Sequence, residues 1–243
     1  MTDQPHDPPP LSGIVLVDKP YRLSSMSIVR VVKRRLINSG LPKSIKVGHG
    51  GTLDPLASGL MVILVGKATK HCDRIMAGRK RYVAEVDLSR SSTTDDLEGE
   101  LTPVDVATPP TRDQIDAALR TFVGVIMQRP PDHSAVWVDG RRAYKIARKG
   151  HTPEIAPRPV EVLSITITNY EWPLLTIDVH CGKGTYIRSL ARDIGAALHT
   201  GGVLVALRRT EVAPFHVDQA WPLDHVPDPF PREQLTPLPS ALP

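Results

Sequence analysis

The stretch GHGGTLDPLASG, residues 48–59, packs four glycines and a proline into a short span. Glycine's conformational freedom and proline's missing N–H exclude a regular helix or a central strand here. The backbone is held in a special shape with one carboxylate, Asp54, in its middle. No Asp or Glu occurs from Lys19 through Leu53, whereas Lys19, Arg22, Arg30, Lys33, Arg34, Arg35, Lys43 and Lys46 all fall there. An ordinary loop scatters its charges and turns them outward. An acid isolated in a glycine-shaped, basic setting points to a chemical task.

The segments around the loop read as strands with interspersed helices. GIVLVDKP begins as an apolar strand, and SIVRVVKRRLINSG predicts a helix capped by Ser27 and ended by Gly40. Its apolar side is Ile28, Val31, Val32 and Leu36, and Arg30, Lys33, Arg34 and Arg35 make much of the rest basic. After the loop, LMVILVG is an unbroken apolar run of the kind found in buried strands. ATKHCDRIMAG predicts a helix ending before Gly78, and KRYVAEVDLS a strand. RSSTTDDLEGE is a polar turn region, and TRDQIDAALRTF a helix with Thr111 as its cap. QRPPDHSAVWVDG is irregular and RRAYKIARKG a short basic helix. Two strands, RPVEVLSITITNY and PLLTIDVHC, precede the turn and helix of KGTYIRSLARDIGAALHTGG and a last strand, VLVALRRTEVAPF. There is no regular βα alternation and no internal repeat, so the order predicts an α+β fold with a mixed sheet.

A chain of 243 residues, 41% hydrophobic and 23% charged, has ample material for a core. No run of 18 apolar residues predicts a membrane span. The start, MTDQPHDPPP, lacks the basic and apolar regions of a signal peptide and reads as a disordered tail of a cytoplasmic protein. Cys72 and Cys181 form no CxxC pair, so neither a disulfide framework nor a zinc site is expected. The net charge is only +4, but it is unevenly spread. From Thr210 onward Glu211, Asp218, Asp224, Asp228 and Glu233 face the single Arg232, and eight prolines follow from Pro214. A basic body with an acidic, proline-rich end suits a polyanionic partner.

Three elements carry groups able to form one site: the glycine loop with His49 and Asp54, KRYVAEV with Tyr82, and GKGTYIRS with Tyr186 and Arg188. An arginine keeps an acid ionised and aims it, and tyrosine rings stack on an unstacked base. A P-loop reading of GHGG fails, because the lysine and hydroxyl do not follow at the required spacing.

Over residues 13–214 these motifs closely resemble the TruB-type tRNA pseudouridine synthases. The likeness runs through GIVLVDKPYRLSS, GHGGTLDPLASGLMVILVGKATK, KRYVAEV, SAVWVDGRRAYKIARKG, GKGTYIRSLARDIG and ALRR, in the family's order. It implies a pseudouridine-synthase-like mixed, largely antiparallel sheet flanked by helices. It implies isomerisation of uridine 55 in the tRNA T-loop, with Asp54 as catalytic carboxylate and no metal or organic cofactor. The N1–C1′ bond breaks, the uracil turns and rejoins through C5. Whether Asp54 adds to the nucleotide or abstracts the C2′ proton on a glycal route stays open. By the same resemblance His49 occupies the space left by the flipped nucleotide, Tyr82 stacks on the base, and Tyr186 and Leu207 line the pocket. Arg188 pairs with Asp54. Asp96, in TTDDLEG, matches a family acid near the site, with Asp95 beside it as the alternative.

The implied partner is the T-arm of tRNA, bound by a monomer. The resemblance implies a catalytic domain at 13–214 with an RNA-contacting insertion at about 123–158. Residues 1–12 are expected as a disordered tail, and 215–243 as an acidic, proline-rich tail without a separate C-terminal domain. The family often has an aromatic-Ser-Ala-x-Lys run where this chain reads His133-Ser134-Ala135-Val136-Trp137, so a phosphate or base contact made by that lysine is either lost here or exchanged for stacking. The alternative function is a non-catalytic protein that binds and folds tRNA. Asp54, Tyr82 and Arg188 together favour the enzyme, since a pure binder has no need of an acid facing a polyanion.

Overall fold

The structure, a computed structural model, describes residues 11–138 and 140–239. Apart from Leu11 and Ser12, the expected N-terminal tail lies outside the described residues. The chain divides into two compact units: residues 1–78 with 211–243, and residues 79–210.

The first unit opens with strand β1 (Ser12–Lys19), helix α1 (Ser25–Asn38), strand β2 (Val47–His49), strand β3 (Ala57–Gly66) and, after a 3₁₀ turn, helix α2 (Cys72–Ala77). β1 pairs antiparallel with β3 along the whole length of β1, from Ser12 opposite Gly66 to Lys19 opposite Gly59. Ile14, Val15, Leu16 and Val17 are all buried, which explains why this strand is continuously apolar rather than alternating. One face joins Ile14, Leu16, Leu60, Val62, Leu64 and Ile75 in a cluster, while α1 packs on β1 and β3. The helix begins three residues before its predicted start. Ser24, not Ser27, is the cap, and its hydroxyl accepts the Ser27 N–H at 3.1 Å.

The second unit contains β4 (Lys80–Asp87), the hairpin of β5 (Arg90–Ser92) and β6 (Leu101–Pro103), α3 (Arg112–Arg120) and β7 (Gly124–Gln128). It continues with the hairpin of β8 (Trp137–Val138) and β9 (Arg141–Arg142), then α4 (Ala143–Ala147), β10 (Arg158–Glu171), β11 (Leu174–Cys181) and α5 (Ile187–Ala197). The antiparallel order β4–β11–β10–β7 forms its sheet. Thr111 caps α3 as expected, in a reciprocal capping box with Gln114. Ile187, Leu190 and Ile194 of α5 and Ile115 and Leu119 of α3 meet Ala84, Val86, Ile177 and Val179 of the sheet in one core.

β12 (Val203–Val212) carries the chain back to the first unit, where β13 (Phe215–His216) turns antiparallel onto its end. β14 (Trp221–Pro222) then pairs parallel with β1. Sheet pairing is thus mixed and largely antiparallel, with flanking helices, in line with the expected α+β class. The C-terminal segment differs from a loose tail. Phe230 is 0% exposed, Val226 is buried, and the backbones of Ile14 and Thr236 exchange hydrogen bonds of 2.8 and 3.0 Å. Arg35, in the basic run of α1, is turned toward this segment. Its Nη1 donates to the carbonyls of Leu223 (3.0 Å) and Val226, holding this segment.

Candidate active site

The first unit shapes the loop that carries Asp54 from several directions. Leu53 is buried, and the Ser25 hydroxyl both accepts its N–H and donates to its carbonyl, each at 2.8 Å. On the other side of Asp54, the Pro55 carbonyl accepts the Arg22 N–H (2.8 Å) and the Lys19 ammonium (3.3 Å). Lys19 is 0% exposed and also donates to the carbonyls of Leu23 (2.8 Å) and Pro20 (3.0 Å). A buried ammonium is tolerated only when its donors are satisfied. Here it ties the end of β1, the PYRL turn and the loop that carries Asp54 together. Asp54 itself is half-buried, and its carbonyl accepts the Ala57 N–H at 3.0 Å, closing the turn into β3. The residues flanking Asp54 are therefore fixed through their backbones.

The glycines earn their place individually. A Cβ on Gly50 would lie 2.3 Å from Ile75 Cγ2, so α2 packs directly on the bare backbone. Gly51 has φ 131, in the region that disfavours side chains. His49 ends β2 opposite Ile63, and its carbonyl accepts the Cys72 thiol at 3.3 Å.

The second unit holds the other candidates. Tyr82 sits in β4 opposite Val179, on the face that also carries Ala84 and Val86. Tyr82 and Leu207, from β12, both pack partly buried against the same core. Two residues before Tyr82, burial and the nearby Arg209 bring the Lys80 ammonium down to about 8. Tyr186 precedes α5, and Gln128, 1% exposed, holds its backbone on both sides, accepting its N–H (2.8 Å) and donating to its carbonyl (3.1 Å). The Arg158 guanidinium lies 5.3 Å from the Tyr186 ring centre.

Arg188 enters in the first turn of α5 and is 6% exposed. A cation at the positive end of a helix is unfavourable unless an anion answers it. Asp96 is brought to it, with Oδ2 3.4 Å from Nη1, and is itself buried. The other carboxylate oxygen of Asp96 accepts the Thr94 hydroxyl (2.5 Å) and the Glu98 N–H (2.9 Å). Nη2 of Arg188 donates to the His133 carbonyl at 3.1 Å. Of the two neighbouring acids, Asp96 is thus the one that meets Arg188 in an ion pair of this unit. Asp95 pairs with Arg192 at 2.9 Å, and burial raises its pKa against the pull of that guanidinium.

Lys19, Ser25 and Gln128 were not singled out as site residues by sequence reasoning. A lysine ending an otherwise apolar strand was a usable signal for the first. Ser25 was masked by reading Ser27 as the helix cap, and no local pattern marks Gln128. No cluster of metal-ligating side chains occurs among the described residues.

Residues 34–187 match the model of the TruB family pseudouridylate synthase N-terminal domain, and residues 188–241 that of the tRNA pseudouridylate synthase B C-terminal domain. A protein named tRNA pseudouridine synthase B from Bradyrhizobium diazoefficiens is 45% identical over 215 residues, covering 88% of this chain and 60% of its own length. One of the same name from Corynebacterium aurimucosum is 43% identical over 226 residues, covering 91% and 74%. Among solved structures, a Cbf5–Nop10–Gar1 complex matches with a TM-score of 0.67 at 32% identity, over 88% of this chain and 53% of the other. An H/ACA ribonucleoprotein bound to a substrate RNA containing 2′-deoxyuridine matches with a TM-score of 0.64 at 29% identity, over 88% and 52%.

Proposed function

The chain belongs to the TruB family of pseudouridylate synthases, and on that premise we propose that it converts uridine 55 in the T-loop of tRNA to pseudouridine, with Asp54 as the catalytic carboxylate. The observation that carries this reading is the loop itself. A lone acid sits between Leu53, clamped by Ser25, and Pro55, clamped by Lys19 and Arg22.

The chemistry asks for one ionised acid. A free aspartate with a pKa near 3.9 already carries its charge at neutral pH, so no activating base is needed. The target base lies stacked in the T-loop and must be extruded, at a cost of roughly a few kcal/mol. In this proposal His49 fills the space that the base leaves, and Tyr82 stacks on the extruded uracil. Tyr186 and Leu207 line its pocket, and Arg188 pairs with Asp54. Asp96 acts on Arg188, holding the guanidinium in place. Once the N1–C1′ bond has broken and the uracil has turned, C5 bonds to C1′. C5 must then shed its proton and N1 must gain one, with Tyr82 as a group able to take part in that transfer. The reading requires no metal or organic cofactor. It takes residues 13–214 as the catalytic domain, with residues 123–158 as an RNA-contacting insertion, in a cytoplasmic monomer.

Incubation with an unmodified tRNA transcript, followed by carbodiimide treatment and reverse transcription, tests it. The wild type should give a stop reporting modification at position 55, and Asp54→Asn should give none. RNA affinity of the variant should stay within a few-fold of wild type, because the change is nearly isosteric and removes a charge that repels phosphate. Turnover by pure Asp54→Asn, or no modification by folded wild type, would overturn the assignment.

A further inference from the structure

A cleft of about 500 Å³ opens within the first unit, and no residue of the 48–59 loop lines it. Four cations line it: Lys46, Lys67, Lys70 and Arg232. No acid does, and Leu41 and Ile45 supply apolar lining. All four basic residues are exposed, and none is ion-paired among the described residues. Four like charges around one concavity repel each other, and an anion bound among them relieves that repulsion.

Arg232 is the informative member. It is the single Lys or Arg after Thr210, in a segment otherwise acidic. It is also held from both sides. Two residues earlier Phe230 is fully buried and its N–H donates to the Arg35 carbonyl at 3.1 Å. Four residues later Thr236 exchanges backbone hydrogen bonds with Ile14. The fold thus delivers the segment's one Lys or Arg to this basic cleft.

We propose that this cleft binds a phosphodiester of the RNA substrate, with a nucleoside face against the apolar lining, and that Arg232 is the C-terminal segment's contact with RNA. The volume falls within the range of about 300–1,000 Å³ usual for small-ligand sites, room enough for one nucleotide. Exposed lysines suit a phosphate approached as a point charge, and Arg232 can take two of its oxygens at once. The choice of RNA over another anion rests on the function proposed above. A free nucleotide offers the same chemistry, so the test must separate the two.

Binding of a labelled T-arm stem-loop and of a whole tRNA transcript to the full chain would be followed by fluorescence polarisation from about 50 to about 200 mM salt. Arg232→Gln should flatten the slope of log K against log salt by about 0.7–0.9 on at least one of the two RNAs, the value for one lost phosphate contact. Arg232→Lys should restore it. Lys67→Gln, on a segment anchored independently of Arg232, should flatten it equally, which keeps the test decisive if Arg232→Gln misfolds. Unchanged slopes in folded Gln variants would overturn the proposal. So would variants that lose affinity for uridine monophosphate or inorganic phosphate, each titrated alone, while binding both RNAs as wild type does. Because binding is read without turnover, a flattened slope in a protein that modifies nothing would leave the cleft and remove the enzyme. The reverse result would do the opposite.

Discussion

Ser25 shows how much one hydroxyl can decide. It sits in the first turn of α1, 5% exposed, and closes both backbone groups of Leu53. Ser25→Ala leaves a buried N–H and a buried carbonyl without that partner, which costs about 2 kcal/mol on the usual scale for such groups. That corresponds to a fall of roughly 4–8 °C in Tm for a chain of this size. The larger effect should be on chemistry. Loosening Leu53 loosens Asp54, and a misplacement of about 1 Å in a catalytic group can cost on the order of 100-fold. We expect single-turnover modification to slow by at least about tenfold while T-arm affinity stays near wild type. Loss of Tm with an unchanged single-turnover rate would show that Ser25 supports the fold and does not aim the acid. The candidate site was legible at this scale where residues announce themselves. Asp54 stands out by its isolation, and Tyr82, Tyr186 and Arg188 by their place near turns. Lys19, Ser25 and Gln128 act through backbone groups far away in sequence, and pairings of that kind leave no periodicity to read.

At the scale of elements, long periodic segments were legible and short ones were not. α3 could be read from Thr111 onward because its cap and apolar spacing agree, and β1, β3, β10 and β11 because apolar runs of that length have few other uses. β8 and β9 have two residues each, too few to show a period, so β8 reads as part of an irregular stretch and β9 as the start of the short basic helix. Yet this hairpin places Trp137 62% exposed with the Arg142 guanidinium 4.3 Å from its ring centre. An exposed tryptophan covered on one face by a cation is a ready platform for a base, and Arg141, Lys145, Arg148 and Lys149 follow it in the chain. Base–aromatic stacking is worth about 1–3 kcal/mol, so Trp137→Leu should weaken RNA binding by roughly 5- to 150-fold. RNA should also quench the intrinsic fluorescence of the wild type and lose most of that effect in the variant, since only Trp172 and Trp221 then remain. Equal quenching in both proteins would remove the hairpin from the RNA contact.

At the scale of the whole chain, composition misleads about the C-terminal segment. Its prolines and acids read as a tail too poor in apolar residues for a core of its own, and on that reading its loss costs little activity. The segment needs no core of its own, because it completes another. Phe215 and Val217 join the cluster of Ile14, Leu60, Ile75 and Val212, and Val226 and Phe230 are buried farther along. These apolar residues are spaced by prolines without helix or strand period, so their burial emerges only from the tertiary structure. The expectation for truncation changes accordingly. Ending the chain after Asp218 deletes β14, the Val226 and Phe230 side chains, the Ile14–Thr236 hydrogen bonds and the carbonyls that Arg35 serves. Emptying a single buried phenylalanine site costs about 3–5 kcal/mol, against a total stability of roughly 5–15 kcal/mol for a native domain. We therefore expect the truncated protein to show a loss of cooperative unfolding in the first unit, and to modify neither T-arm nor tRNA at growth temperature. Phe230→Leu, which keeps the backbone bonds, should lower Tm while leaving activity measurable below the transition. A truncated protein that melts like wild type and turns over normally would show that the buried contacts of residues 219–239 contribute nothing to the fold that carries Asp54.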